Sequence, residues 1–504
     1  MKARMPMDKK VRTNSLGGGA VALTIAKGIT IILNMLTGML LSRFRSVEEY
    51  GTYSQLLLTI SLVSSLIMLG LPNSINFFLA RAETPLERKG FLSTYYTVST
   101  FLAAFMGGML LLAIPLIEQY FGNNQIKDFD YFLLLYPWTA VTIASVANLL
   151  VVYGRTKRLM VFNIAHSVVT LVSVLVAKWL GLNFQWYMKF LLAGQIAITL
   201  WVFLQLHSLE RGIRPKVEWA LLKRVFSYSI PLGLAAFVGT ITVDVDKLMI
   251  GHFLGTEEMA YYTNAGKELP LTLLSTSLTA VLLPQIAILN KKNQGKDAIA
   301  LWGTAIKLGY LVLCFFVTAC VVFAPQIITV LYSEKYLMGA PIFCIYSLVL
   351  LFRVTYFGMM LSATGRTKAI LWTSILTMVL NMVLNWLLYA WLGFVGPALA
   401  TLVSIAAVQI IQLILTAKEM KCTFWAVFPW SFCGKCTLLN ALWGTPIYLL
   451  VRFLKFGVSM TDIAICIGIG AVVAVIYAFC VRKKAMNLWR ALNAAKQYQT
   501  NDSI

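Results

Sequence analysis

Apolar runs of about 20 residues or more recur along the whole chain and are separated by short polar segments. A helix needs about 20 mainly apolar residues to cross the ~30 Å hydrocarbon core of a bilayer. The pattern therefore predicts an all-α polytopic membrane protein with about fourteen transmembrane helices. Their expected limits are 17–41, 53–79, 91–117, 131–153, 160–181, 186–206, 226–252, 261–289, 302–324, 338–363, 369–392, 395–416, 437–454 and 461–481.

The loops between these runs alternate in charge. Loops rich in Lys and Arg lie at 81–89, 155–158, 211–224, 291–296, 366–368 and 418–435. Loops poor in both lie at 118–130, 181–185, 255–259 and 393–396. Because Lys and Arg are enriched in cytoplasmic loops, the alternation predicts that the basic loops and both termini are cytoplasmic.

Composition agrees with this class of protein. The chain has 504 residues, of which 59% are hydrophobic and 12% charged, and its mean hydropathy is +0.78. A soluble domain has about 25% charged residues. The net charge of +22 is concentrated in the basic loops, so we interpret it as an orientation signal and expect no nucleic-acid partner.

Short segments of the first part of the chain recur about 210 residues later. The matching segments, with their offsets, are Phe44–Tyr53 and Phe253–Tyr262 (209), 154–157 and 365–368 (211), 179–181 and 391–393 (212), and 71–72 and 283–284 (212). The longest pair shares Phe, Glu-Glu and Tyr in register, and the second pair is Gly-Arg-Thr-Lys in both copies. Four matches at nearly one offset predict an internal duplication.

The duplication divides the chain into two six-span halves and a C-terminal addition. We predict an N-terminal lobe at 13–210, a C-terminal lobe at 222–420, extra spans thirteen and fourteen at 431–481, and a basic cytoplasmic tail at 482–504. Six is an even number, so the two repeats run parallel and are related by an axis along the membrane normal. Transporters of this design bind their substrate between the halves and rock them, although a scaffold is also compatible with a repeat.

Four segments also resemble a known family. They are Gly70–Asn76, Asp246–Gly255, Tyr261–Ala265 and the repeated Gly-Arg-Thr-Lys turn. In order and spacing the sequence resembles the multidrug/oligosaccharidyl-lipid/polysaccharide exporter superfamily, and within it the bacterial polysaccharide (O-antigen type) flippases.

The resemblance implies a V-shaped bundle of two six-helix lobes around a central cavity, in the bacterial cytoplasmic (inner) membrane. It implies alternating access that moves an isoprenoid-pyrophosphate-linked oligosaccharide between leaflets for surface polysaccharide or lipopolysaccharide biosynthesis. The partners implied are the lipid-linked anionic glycan and membrane lipids, with a polysaccharide polymerase or export machinery as a further candidate. A peptidoglycan-precursor flippase is an alternative, since such proteins also have fourteen spans.

Ionisable residues inside spans are functional candidates, because each costs roughly 2.5–3.5 kcal/mol at the centre of a membrane helix. Those in this chain are Lys27, Asp244, Asp246, Lys247, Lys267, Glu268 and Arg353. Lys and Arg suit a diphosphate, and Arg offers it two parallel donors. We therefore expect the four cations to bind substrate, and Lys27 and Arg353 above all, because neither has an acid nearby in sequence.

The remaining charges have an alternative structural interpretation. Asp244 and Lys247 share a helix face. Lys247–Glu268 and Asp244–Lys267 pairs would clasp spans seven and eight together, with Asp246 a further coupling or structural acid. For Lys27 and Arg353 the structural alternative is snorkelling towards an interface.

Two other classes of function remain open. A cation-coupled drug antiporter of the same superfamily requires a membrane acid, for which Asp244 or Asp246 would serve, whereas the first half has no acid inside a span. A glycosyltransferase or polymerase requires acidic catalytic residues, usually in a large extracytoplasmic loop, which this chain lacks. Gly17–Gly19 is not followed by the Lys of a nucleotide-binding loop, and Cys433 and Cys436 form an isolated CxxC. We expect no catalytic residue, metal or cofactor.

Overall fold

A computed structural model describes residues 16–267, 271–454 and 456–501, and all regular secondary structure within them is helical. The basic residues before position 16 and Glu268 lie outside the described residues. The α-helices are α1 (Leu16–Phe44), α2 (Val47–Ile67), α3 (Leu71–Ser74), α4 (Pro85–Leu112), α5 (Ile114–Phe121), α6 (Asp130–Val152), α7 (Thr156–Trp179), α8 (Phe184–Leu209), α9 (Trp219–Phe253), α10 (Thr256–Ala265), α11 (Thr272–Lys291), α12 (Gly295–Val322), α13 (Ala324–Leu331), α14 (Ala340–Phe352), α15 (Met359–Ala363), α16 (Thr367–Leu392), α17 (Gly396–Glu419), α18 (Phe424–Val427), α19 (Trp430–Phe453) and α20 (Met460–Asn501).

Within the described residues, ten helical stretches are long and apolar enough to cross a membrane, or eleven when one pair bent by 51° is included. One of the ten, Lys368–Glu419, contains both α16 and α17. Hydrogen bonds from Asn381 to Thr401 (3.2 Å) and from Gln412 to Thr373 (3.1 Å) show that these two helices run antiparallel. The protein is a multi-pass membrane protein, and the count of fourteen spans stays a prediction.

Three of the expected spans are divided into two helices by more than one intervening residue. In the second, Leu69 and Gly70 have φ of 43° and 69°, and a π-helical turn, Ile75–Leu79, follows α3. The eighth, expected at 261–289, comprises α10 and α11, and the tenth, expected at 338–363, comprises α14 and α15. Non-helical backbone at membrane depth is tolerated where protein or a water-filled cavity satisfies its polar groups.

The order and length of the helices recur along the chain. α4 and α12 each have 28 residues, and the short α5 and α13 that follow them each have 8. These matches support the duplication, while the predicted lobe boundaries stay a prediction. We refer to residues 16–209 as the N-half and 219–419 as the C-half.

α9 connects the two halves. Near its start it contacts the N-half so closely that a Cβ on Gly233 would lie 2.0 Å from the carbonyl carbon of Leu69. Near its end the ring of Phe253 stacks on Tyr389 of the C-half, with centroids 5.1 Å apart. The lack of a side chain at Gly233 is therefore what allows α9 to lie against the break after α2.

α19 and α20 pack on the C-half. The hydroxyl of Tyr310 in α12 lies 2.8 Å from that of Thr437, and the Tyr477 hydroxyl donates to Leu311 O at 2.8 Å. α20 continues through the expected tail, and its 42 residues span ~63 Å, about twice the hydrocarbon thickness. The two additional helices thus extend the C-half on the side of α12.

Candidate functional site

Three of the four predicted substrate-binding cations border one cavity in the C-half. Lys247 comes from α9, Lys267 from the break after α10, and Arg353 from the break after α14. The cavity has a volume of about 190 Å³, and α16 and α17 close it with polar side chains that include Asn381 and Thr401. We call it the C-half cavity.

Lys267 lies two residues beyond the end of α10, where the partial negative charge of the helix C-terminus favours a cation. Its ammonium donates to Asn264 Oδ1 at 3.0 Å and to the hydroxyl of Tyr50 in the N-half. It also lies 5.1 Å from the ring centroid of Tyr50 and 5.8 Å from that of Tyr332. A Cβ on Gly38 would lie 2.9 Å from this nitrogen, so α1 leaves room for it.

Arg353 is the residue at which α14 ends, 13 residues after that helix begins. The carbonyl of the preceding Phe352 accepts a hydrogen bond from Gln409, and Trp302 Nε1 donates to Thr355 Oγ1 at 3.0 Å. A side chain of α17 therefore satisfies one backbone carbonyl next to the break, and a side chain of α12 holds the hydroxyl of Thr355 within it. Satisfied polar groups are the condition for such a break within a membrane. The break places a guanidinium at the C-terminal end of a helix dipole.

Arg353 also borders a second, adjoining cavity of about 600 Å³. Four hydroxyl side chains of α11 line it, at Thr272, Ser275, Thr276 and Thr279. Their spacing of three, four and seven residues places them on one helix face. A hydroxyl-lined space therefore adjoins the C-half cavity along the first two turns of α11.

Lys247 pairs with Asp244 one turn earlier on α9, at 2.5 Å, with 21% and 16% of the two side chains exposed. The structure does not bring Asp244 and Lys267 together as an ion pair: Asp244 pairs with Lys247, and Lys267 donates to Tyr50 and Asn264. The predicted Lys247–Glu268 pair lies outside the described residues. Asp246 is buried, accepting from its neighbour's backbone N–H at 2.7 Å and from the hydroxyl of Tyr346.

Lys27 is not among the residues that border the C-half cavity. It lies on α1 and is exposed. The structure thus brings Lys247, Lys267 and Arg353 together and leaves Lys27 apart.

Sequence reasoning missed Tyr50, Tyr346 and Asn381 as neighbours of these charges. Tyr50 directly follows Glu-Glu in the repeated segment. Its place in the repeat marked it as a candidate residue but did not predict its contact with Lys267. Asn381 and Asn385 are one turn apart on α16, and the amide of Asn385 donates to Asn381 Oδ1 at 3.0 Å. Neutral polar residues inside spans are common helix-to-helix contacts, so their types alone do not assign them to a cavity.

The N-half has a cavity of about 450 Å³ at the break after α2, which we call the N-half cavity. Its polar lining consists of neutral side chains: Ser61, Ser64, Ser65, Asn73 and Tyr136. The same kind of helix break therefore borders an uncharged space in one half and a cationic space in the other.

The halves also meet at the end of the bundle that carries the loops poor in Lys and Arg, here called the neutral end. Arg43 Nη2 donates to Thr329 O at 3.1 Å, and His252 Nδ1 lies 2.6 Å from Tyr120 O. Arg43 and His252 are separated by the repeat offset of 209. Gln55 Nε2 adds a hydrogen bond of 3.1 Å to Thr256 Oγ1. Two repeat-related contacts therefore hold the neutral end together.

The three cations that border the C-half cavity are side chains suited to an anionic ligand. Two of its three cations lie at helix C-termini, and the third is paired with one carboxylate. Among the described residues, no group of three or more His, Cys, Asp or Glu could hold a metal ion. Phosphate or carboxylate groups are the ligands that Lys and Arg bind best.

The fold is that of a known class of membrane transporter. Across 80% of this chain and 98% of the other, it matches an inward-facing multidrug resistance MATE family transporter of the MOP superfamily, with a TM-score of 0.65 and 15% identity. A MOP superfamily transporter from Pyrococcus furiosus, described as having a binding pocket of reverse polarity, matches with a TM-score of 0.55 and 14% identity over 80% and 95% of the two chains. The predicted transporter fold is confirmed.

The chain belongs to the polysaccharide biosynthesis protein family, whose model matches residues 40–341, more than half of its length. It is 22% identical over 340 residues to a probable low-salt glycan biosynthesis flippase, Agl15, of Haloferax volcanii, covering 66% of this chain and 70% of that one. Family and fold together indicate a membrane transporter of the polysaccharide biosynthesis class.

Proposed function

We propose that this protein is a flippase that moves an isoprenoid-diphosphate-linked oligosaccharide across the cytoplasmic membrane by alternating access. The observation that carries the proposal is the cluster of Lys247, Lys267 and Arg353 around one cavity. The Haloferax relative, a probable glycan biosynthesis flippase, adds support. We place the basic loops and both termini in the cytoplasm, by the positive-inside rule.

The size of the cavity limits what it binds. At about 190 Å³ it is smaller than the ~300–1,000 Å³ of sites for drug-sized ligands. A phosphate group fits such a space and an oligosaccharide does not. In our proposal the diphosphate occupies the C-half cavity, the glycan lies in the space between the halves, and the isoprenoid chain stays in lipid.

The hydroxyl-lined cavity along α11 is the proposed route of entry from the cytoplasmic side. Arg353 borders both cavities, so it meets the diphosphate first and offers two parallel donors. Lys267 meets it next. Because the Lys267 ammonium also donates to Tyr50 across the two halves, an anion that attracts this ammonium weakens a contact near the closed neutral end.

Binding of the substrate and opening of the neutral end are thereby coupled in our proposal. A ligand shifts such an equilibrium only by its differential affinity for the two states. Lys267 provides that difference, since it is bonded to Tyr50 when the site is empty and to the anion when it is occupied. Rocking of the halves then exposes the site to the outer leaflet.

The alternative is a cation-coupled antiporter. The buried Asp246, bound by Tyr346, is the observation that favours it, because such carriers need a membrane acid. The fold does not distinguish the two, since another matched structure is that of DinF-BH, a MATE multidrug transporter solved in complex with a ligand (13% identity, 82% and 98% coverage, TM-score 0.56).

The test is a binding measurement on the full-length protein in nanodiscs. Farnesyl diphosphate serves as the anionic isoprenoid probe and ethidium as the cationic dye. We expect the protein to bind the diphosphate and not the dye, with affinity reduced at least tenfold by Arg353→Gln and unchanged by Lys335→Gln, a substitution at an exposed lysine outside the cavity. Dye binding that depends on Asp246, with no diphosphate binding, would overturn the proposal in favour of the antiporter.

A further inference from the structure

A second basic site lies in the N-half, far along the chain from the C-half cavity. A groove of about 490 Å³ runs between α7 and α8, beside the Gly-Arg-Thr-Lys turn at 154–157. Lys157 and Arg158 lie at one end of it, and Val161, Trp201 and Leu204 form its apolar part. We propose that this groove binds the head group of an anionic membrane phospholipid, with phosphatidylglycerol as the preferred class.

The two cations of the groove are available to an anion. Arg158 Nη1 donates to Ser208 Oγ at 3.1 Å, which leaves further guanidinium donors. In the part of the chain that the structure describes, neither Lys157 nor Arg158 has a carboxylate within ion-pair distance. Both residues are exposed. Basic pockets between transmembrane helices on the cytoplasmic side are typical sites for anionic lipid head groups.

The second copy of the same turn provides an internal comparison. There Arg366 Nε is paired with Glu419, at the end of α17, at 2.9 Å. The position that corresponds to Arg158 is Ala369. The C-half copy therefore has one cation fewer beside this turn, although the turn itself has the same sequence. The two adjacent cations Lys157 and Arg158 are thus a property of the N-half groove and do not come with the motif.

The apolar part of the groove suits acyl chains. Val161 is 60% exposed and Leu204 is 69% exposed. Both side chains line the same groove as Lys157 and Arg158. The ring of Trp201 packs on Phe162, with centroids 5.3 Å apart. Indole rings concentrate at the membrane–water interface, which is where a head group lies.

One further group narrows the choice of head group. Gln205 borders the groove, and its Oε1 is buried and has no hydrogen-bond partner within the described chain. A buried carbonyl without a donor is costly, so this oxygen favours a ligand that donates a hydrogen bond. The phosphate of phosphatidylglycerol meets the cations and its glycerol hydroxyls supply donors. Phosphatidic acid has the phosphate without those hydroxyls.

The experiment measures lipid binding by native mass spectrometry and by the change in Tm when lipid is added to the detergent-purified full-length protein. Dioleoyl phosphatidylglycerol is compared with dioleoyl phosphatidylcholine and dioleoyl phosphatidic acid. We expect phosphatidylglycerol to raise Tm and to bind with about tenfold preference over phosphatidylcholine. The double substitution Lys157→Gln/Arg158→Gln should abolish that preference.

The matched control is Arg366→Gln/Lys368→Gln, which removes the same number of charges from the second copy of the turn. We expect it to leave the preference for phosphatidylglycerol intact. If the two double variants lose it equally, the lipid is attracted only by general surface charge and the proposed site is wrong. Equal Tm values of all variants in phosphatidylcholine verify that folding is unaffected.

Two further outcomes are decisive. Gln205→Leu should reduce the preference for phosphatidylglycerol over phosphatidic acid while leaving both lipids bound, and no change would contradict the assigned role of Gln205. Farnesyl diphosphate that displaces phosphatidylglycerol from the wild type, and that binds the wild type more tightly than Lys157→Gln/Arg158→Gln, would show that the groove is a substrate site instead. This inference does not depend on the proposed transport substrate.

Discussion

The N-half and the C-half share the order of their helices but differ in the charge of their cavities. At the repeat offset, Lys247 corresponds to Gly38 and Lys267 to Leu58. Arg353 corresponds to Thr142 at an offset of 211 and to Ile143 at an offset of 210. Each cation of the C-half cavity thus corresponds to an uncharged residue in the N-half.

The backbone around these positions differs as well. α6 is continuous for 23 residues where its counterpart breaks at Arg353. At the break Gln409 donates to the Phe352 carbonyl and Trp302 donates to the Thr355 hydroxyl; the N-half counterpart of Trp302 is Leu92, which has no donor to offer. The comparison teaches that the two halves share the order of their helices but place their breaks at different positions, and that cations border the C-half cavity but not the N-half cavity.

The clearest test of the difference between the two cavities is a substitution of Arg353. Arg353→Gln should reduce transport roughly tenfold to hundredfold, because hydrogen bonds to charged groups contribute about 1.5–3 kcal/mol each. Arg353→Lys should recover part of the loss, since it keeps the charge but not the bidentate geometry. The readout is accumulation of lipid-linked glycan in a host whose surface polysaccharide depends on this protein.

The matched control for this variant is Ser64→Ala, which changes the lining of the N-half cavity without touching a charge. It should leave transport near the wild-type level. An equal loss from both variants, at equal expression, would mean that the two cavities do not differ in function.

A second prediction separates the structural from the binding role of Lys247. Lys247→Met leaves the mostly buried Asp244 without its partner, so we expect the free energy of unfolding to fall by about 3 kcal/mol. Asp244→Asn/Lys247→Met removes both charges and should restore most of the Tm but not the binding of farnesyl diphosphate. Normal binding by the double variant would assign Lys247 to structure alone.

The helix break gives a third prediction. Gln409→Leu leaves the carbonyl of Phe352 without its donor, at a cost of about 1–3 kcal/mol. Trp302→Phe removes the donor to the Thr355 hydroxyl and also leaves space at a fully buried site, so it should cost at least as much. Thermal unfolding monitored by intrinsic fluorescence gives the two Tm values. An unchanged Tm for Gln409→Leu would show that the break does not depend on this hydrogen bond.

The smallest expected effect concerns the contact between the halves. Tyr50→Phe removes the hydroxyl that accepts from Lys267 but keeps the ring. We expect exchange of backbone amides at 324–339, near the neutral end, to quicken by about twofold to threefold in hydrogen–deuterium exchange. Tyr53→Phe, three residues along the same helix, should leave the exchange rate unchanged. Equal amide exchange rates in the two variants would show that the Lys267–Tyr50 contact has no part in the proposed coupling.

Local properties of the chain made much of the fold predictable. Apolar length located the helices, and a spacing of three placed Asp244 and Lys247 on one face, where they pair. Tyr50, the partner of Lys267, is 217 residues away in the sequence. The pattern of charged residues does not predict a contact between positions so far apart. The break at Arg353 depends on Gln409 and Trp302, which belong to other helices, so a hydropathy profile of span ten shows only a continuous apolar run.

The path of α9 has a consequence for the order in which the protein forms. Chains fold from the N-terminal side during synthesis, so the contact between Gly233 and the backbone of Leu69 is available before α16 has been made. α9 can therefore dock on the completed N-half and offer its second part, ending at Phe253, as a template for the C-half. A bulky residue at Gly233 should consequently lower the yield of folded protein, because it would clash with the backbone of Leu69 before the C-half has been made.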